Sequence, residues 1–168
     1  MTTNDPTIRN ATQIVAQSGL PFIDMVREFD APVEALYTAY SDPELVTRWL
    51  GPRRYTMVLR EWDFRSGGTW SYVHTDPDGE GSYGFRGTFH TVEPGVAIVQ
   101  TFEFEGAPGH VSLESTAFER LGNDRSRVVV HAVYQSLEAR DAMVASGMES
   151  GVREGYERLD EVLREMGT

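Results

Sequence analysis

The chain has 168 residues, a net charge of −11 and no cysteine, and all fifteen of its basic residues are arginine. That length and an apolar content of 40% suit one globular domain with a buried core. The charge disfavours nucleic acid and anionic membrane surfaces. The missing cysteine and lysine exclude disulfides, thiolate metal sites, thiol nucleophiles, Schiff-base lysines and P-loop lysines. No apolar run is long enough to span a membrane and the first twenty residues lack an apolar signal core, so the expected location is the cytoplasm.

Residues 1–20 read as a polar lead-in with a short strand at Thr12 to Ala16, and residues 21–168 as one domain. Residues 21–30 alternate as a strand does. Pro32 then starts a helix, where a missing N–H costs nothing. Asp42-Pro43 starts a second helix, with Asp as cap, and Gly51-Pro52 stops it. A meander of strands follows: Tyr55 to Phe64, Thr69 to Thr75, Ser82 to Val92, Val96 to Phe104, Val111 to Arg120 and Arg127 to Gln135. The connections Arg65-Ser66-Gly67-Gly68, Asp76-Pro77-Asp78-Gly79, Glu93-Pro94-Gly95, Gly106-Ala107-Pro108-Gly109 and Leu121-Gly122-Asn123-Asp124 carry turn chemistry. Spacing this regular predicts an antiparallel sheet.

A single long helix is expected from Ser136, its cap, to Met166, about 45 Å at 1.5 Å per residue. Val144, Met148, Val152, Tyr156, Leu159, Leu163 and Met166 recur on one face. Gly147, Gly151 and Gly155 each cost about 1 kcal/mol of helix propensity. Close approach of the sheet and room for a ligand are the two explanations for them.

Phe29-Asp30-Ala31-Pro32, Asp42-Pro43-Glu44-Leu45, Trp49-Leu50-Gly51-Pro52, Ser66-Gly67-Gly68-Thr69-Trp70 and Gly147-Met148-x-x-Gly151, in this element order, resemble bacterial SRPBCC proteins of the START and birch-pollen-allergen superfamily. Within it they resemble the branch named for the C-terminal domain of the activator of heat-shock-protein-90 ATPase. The resemblance covers about residues 20–166. It implies an α+β helix-grip fold: a curved antiparallel sheet of about seven strands around a long C-terminal helix, two short helices after the first strand, and a cavity between sheet and helix. Members bind lipids, polyketides, hormones and other apolar molecules, and a minority are enzymes.

Trp70 and Tyr72 share one strand face, as do Phe85 and Phe89, and Phe102 and Phe104, on the strands that follow. Packed core and pocket lining both fit these aromatics; the resemblance adds weight to the pocket. Trp49 falls where the family's cavity mouth would lie, or else caps the core. Met143, Met148 and Tyr156 are the candidates on the last helix. No histidine pair has metal-ligand spacing. His74 and His90 are expected in solvent, His110 at a cavity rim, and His131 among valines as a buried histidine needing a partner. His110 or His131, if in the pocket, is the natural general base. Glu103, Glu105 and Glu114 read as a solvated set, since a paired acid–base role needs a buried carboxyl with a raised pKa. Arg53-Arg54 reads as a surface pair or as the receiver of a ligand carboxylate. No Gly-x-Ser-x-Gly elbow occurs.

The expected function is binding of a hydrophobic or aromatic small molecule of lipid, polyketide or aromatic-acid type, without cofactor or metal. The ligand-binding set is Trp49, Trp70, Tyr72, Phe85, Phe89, Phe102, Phe104, His110, His131, Met143, Met148 and Tyr156. An aromatase-, cyclase- or hydrolase-like enzyme in the same cavity is the alternative, favoured by a buried titratable group with a shifted pKa. A co-chaperone-like module is a third, and needs an apolar outer sheet face. Ser71, Arg86, Thr88, His90, Thr101 and Glu103 make that face polar. A homodimer is compatible with the sequence.

Overall fold

A computed structural model describes residues 5–167 of the chain. After a single helical turn, α1 (Pro6–Arg9), strands β1 (Gln13–Val15) and β2 (Phe22–Phe29) lead into two short helices, α2 (Val33–Ser41) and α3 (Pro43–Trp49). Asp42 caps α3 through its side chain, which accepts from the Glu44 N–H at 2.8 Å, with Pro43 directly after it. Gly51, at φ +95°, turns the chain out of the helix. Strands β3 (Thr56–Trp62), β4 (Thr69–Thr75), β5 (Ser82–Glu93), β6 (Ala97–Phe104), β7 (Val111–Gly122) and β8 (Arg125–Val133) follow, and helices α4 (Leu137–Ala145) and α5 (Met148–Met166) close the chain.

The strands form one antiparallel sheet in the order β1-β2-β8-β7-β6-β5-β4-β3. It has eight strands where about seven were expected, because residues 13–15 pair with β2 and extend the edge. Register shifts at Leu59/Glu61, Phe89/Thr91 and Arg120/Gly122 bend the strands, as bulges do, and help curl the sheet.

The C-terminal helical segment is broken. Gly147 sits at φ +83° between α4 and α5, a conformation that ends one helix and starts another. The 19 residues of α5 span about 28 Å, and Val144, beyond the break, is exposed. The other two glycines serve close approach: a Cβ on Gly155 would meet the Trp49 carbonyl at 3.2 Å and the Gly51 nitrogen at 3.3 Å, and one on Gly151 would touch the Pro52 ring at 3.4 Å. Tyr156, Leu159, Val162 and Leu163 of α5 join Phe29, Trp70, Tyr72, Phe89, Ile98, Phe118 and Val128 of the sheet in the main core. A smaller core gathers Ile23, Met25, Val130 and Ala132, with Tyr134, Met143 and Met148 against it. Val152 packs against both.

Polar clamps hold α5 in place. Arg27, on the inner face of β2, is buried; it pairs with Asp160 and lies 4.7 Å over the Phe29 ring. Arg158 donates to the Gly51 carbonyl at 3.0 Å, and Arg53 pairs with Glu161 at 2.6 Å. No helix among the described residues is long and apolar enough to cross a membrane.

Candidate functional site: the concave face of the sheet

The register assigns each side chain to a sheet face. Phe118 is opposite Val128, both buried in the main core. Strand β7 runs without interruption from there, so Thr116, Glu114 and Ser112 point the same way. Their neighbours are Ile98, Gln100 and Phe102 on β6, and Val130 and Ala132 on β8. Phe85, Gly87, Phe89, Trp70, Tyr72 and His74 continue this concave face through β5 and β4.

The concave face is unevenly covered. Trp70, Tyr72, Phe89, Ile98, Phe118 and Ala132 are buried. Phe85, Gln100, Phe102, Glu114 and Thr116, set among them, keep partial access to solvent. Together they form the half-covered part of the concave face. Its aromatic wall is continuous: Trp70 stacks on Tyr72 at 5.3 Å, Phe102 lies 5.9 Å from Trp70, and Phe85 lies 5.2–5.5 Å from Tyr72, Phe102 and Phe104.

Glu114 is the polar centre of this wall. Protein surrounds its carboxyl, and burial pushes it from its ordinary 4.5 up to about 7, against a hydrogen bond from Gln100 Nε2 at 3.4 Å that lowers it. Four tyrosines, Tyr40, Tyr72, Tyr134 and Tyr156, feel its charge. Their own burial is the largest cause holding all four phenols protonated, with Tyr156 pushed up to about 12. Tyr40 and Tyr156 also interact through their hydroxyls. Two further polar atoms on this face, Trp70 Nε1 and Ser112 Oγ, are buried without a hydrogen-bond partner among the described residues.

Several expected residues meet here. Tyr72, Phe85 and Phe102 share this part of the concave face, Phe104 extends its aromatic wall, Trp70 and Phe89 are buried beside it, and Tyr156 is buried in the main core from α5. Met143 and Met148 are half-buried at the smaller core. Trp49 is core: it is buried, donates from Nε1 to the Ala39 carbonyl at 2.9 Å and stacks on Tyr156 at 6.5 Å.

His90 is exposed as expected, but other histidines fall elsewhere than the sequence suggests. His131 points to the outer face, 44% exposed, where Nδ1 meets Asp24 and the ring lies 4.9 Å from Phe22. The valines around it alternate inward and outward, and it is in phase with the outward ones. His110 is exposed in the loop before β7. His74, expected in solvent, is 6% exposed: it is in phase with Trp70 and Tyr72. Its Nε2 donates to the Leu50 carbonyl at 3.2 Å, and burial lowers its pKa despite that bond. Gly51 admits the ring, since a Cβ there would lie 2.4 Å from it.

The carboxylate set is likewise divided. Glu103 is on the outer face as expected, yet it is covered: Arg86 pairs with it, the Gly109 N–H donates to it at 3.0 Å, and both hold its pKa low. Glu114 was expected on a solvated face and lies on the concave one. Arg53 and Arg54 pair with Glu161 and Asp76 on the surface. The outer face is an open polar depression of about 760 Å³, lined by residues such as Arg60, Ser71, Arg86, Thr88, Thr101 and Glu105. Among the described residues no cluster of acids and histidines is arranged to hold a metal ion.

Residues 30–164 match the model of the Activator of Hsp90 ATPase homolog 1-like protein family, and the chain belongs to that family. It is a family with hydrophobic ligand-binding cavities on the helix-grip fold. The chain is similar to a protein from Arthrobacter aurescens solved by NMR, at 30% identity over 91% of both chains with a TM-score of 0.83. It is similar to a Rhodobacter sphaeroides protein at 26% identity, over 92% of this chain and 99% of that one, with a TM-score of 0.82. Protein Ms6760 from Mycobacterium smegmatis, at 22% identity over 91% and 97% and a TM-score of 0.81, shares the fold. A search of curated proteins finds no match.

Proposed function

We propose that this protein binds a flat, apolar small molecule in the cleft between the concave sheet face and α5. One observation carries the proposal: Phe85, Gln100, Phe102 and Thr116 face inward yet are only half-buried, so the centre of the concave face, with two aromatic rings on it, is not fully covered. Covering it releases roughly 25 cal/mol for each Å² of apolar area, and the ring faces of Phe85 and Phe102 add stacking. The test is a titration with N-phenyl-1-naphthylamine, a neutral dye that brightens in apolar sites. A saturable one-to-one enhancement, weakened several-fold by Phe102→Ala, is expected; an unsaturable signal indifferent to that substitution refutes the proposal.

A second class of function has its own supporting observation. A carboxyl near neutral in an apolar cleft, as Glu114 is, can give or take a proton at physiological pH. An enzyme in this cleft would lose turnover on Glu114→Gln and show a rate inflection near pH 7; a flat pH profile would count against it.

A further inference from the structure

We propose that the ligand enters with a hydrogen-bond-donating head, an amine or a hydroxyl, directed at Glu114, and that the same residue excludes ligands ending in a carboxylate. This rests on the cleft being a ligand site, and adds which class of ligand fits it. Among the described residues Glu114 is the one carboxylate on the half-covered part of the concave face, between Gln100 and Ala132. Among the described residues no arginine or histidine pairs with it, and its side-chain partner is the Gln100 amide at 3.4 Å. A carboxylate oxygen accepts and does not donate, so at least one of its oxygens has lone pairs free for an incoming N–H or O–H. Ser112, two residues away on the same strand face, has a buried hydroxyl without a hydrogen-bond partner among the described residues and supplies a second polar contact.

Charge points the same way. Gln100 of β6 hydrogen-bonds Glu114, Tyr72 of β4, Tyr134 after β8, Tyr156 of α5 and Tyr40 of α2 feel its charge, and none of these is a cation. A ligand carboxylate here would place two negative charges together in a poorly solvated site. An ammonium would bring the counter-charge that the site lacks and would allow Glu114 to ionise. The arginines Arg53 and Arg54, the sequence's candidates for a carboxylate, are engaged with acids on the surface.

Isothermal titration calorimetry with 2-naphthylmethylamine, 2-naphthol and 2-naphthoate tests the proposal on the wild type and on Glu114→Gln, whose fold is checked by circular dichroism. On the wild type at pH 8, the amine or the naphthol should bind at least tenfold more tightly than the naphthoate. Glu114→Gln should shrink that preference several-fold. If the amine is the better head, its binding at pH 6 releases a proton into the buffer; if the hydroxyl is, no proton appears. Naphthoate binding as tightly as the others, unaffected by Glu114→Gln, overturns the head-group assignment and leaves the cleft as a ligand site. No binding by any of the three overturns both.

Discussion

Replacing Glu114 by glutamine should stabilise the protein, by an amount that grows as pH rises from 4.5 to about 7 and is complete above that. The folded state raises this carboxyl from 4.5 to about 7, so it holds its proton more tightly folded than unfolded. Between those values the folded chain binds more protons than the unfolded one, and stability therefore falls as pH rises. The protonated state's contribution is complete below about pH 4.5 and is lost as pH passes 7. At about 1.4 kcal/mol per tenfold change in acidity the loss is roughly 3 kcal/mol. Water reaching the cleft lessens it, which gives a range of about 1–3 kcal/mol. Glutamine matches the protonated acid in shape and carries no charge. Glu114→Gln should therefore be near neutral at pH 4.5 and raise Tm by about 3–9 °C at pH 8, taking roughly 3 °C per kcal/mol for a chain of this size. Thermal unfolding of both proteins followed by circular dichroism at the two pH values provides the comparison. An equal change in Tm at both would refute the reasoning, because it would show that Glu114 titrates normally and is solvated.

The two helical glycines of α5 should respond differently to alanine. Gly151→Ala has ordinary contact distance to Pro52 and should gain about 0.5–1 kcal/mol of helix propensity in urea unfolding, whereas Gly155→Ala, facing fixed backbone of residues 49 and 51, should gain nothing or lose stability. Asp160→Asn leaves buried Arg27 without its counter-charge and should cost about 2–4 kcal/mol by the same measurement; a loss below 0.5 kcal/mol would show that the pair does not hold α5 to β2. Asp42→Ala removes the cap of α3 and should cost about 1 kcal/mol, with Asp42→Asn largely restoring it.

Much of this fold is legible in local chemistry. The Asp42-Pro43 and Gly51-Pro52 signals bound α3, and the turn sequences bound nearly every strand, because caps and turns depend on neighbouring residues alone. The break at Gly147 is not legible in local chemistry: a helical glycine and a glycine between two helices look alike in sequence, and only the positive φ separates them. Alternation finds the concave face of β4, and the phase that selects Trp70 and Tyr72 also selects His74. In β7 the same phase ties Glu114 to Phe118, but a glutamate among serines and threonines looks solvated by composition. Burial of Glu114 is a tertiary effect: α2, β4, α5 and the segment after β8 bring four tyrosines within reach of its charge from distant parts of the chain. His131 shows the converse, since valines on both faces of β8 hide which way a residue between them points.

The most direct test of the central claim is native mass spectrometry of the folded protein after incubation with N-phenyl-1-naphthylamine, 2-naphthol and 2-naphthylmethylamine, or as purified with whatever it carries. A ligand site in the cleft predicts a one-to-one adduct, or a co-purified small molecule that one of these compounds displaces. A folded protein that carries nothing and takes up none of the three would contradict it.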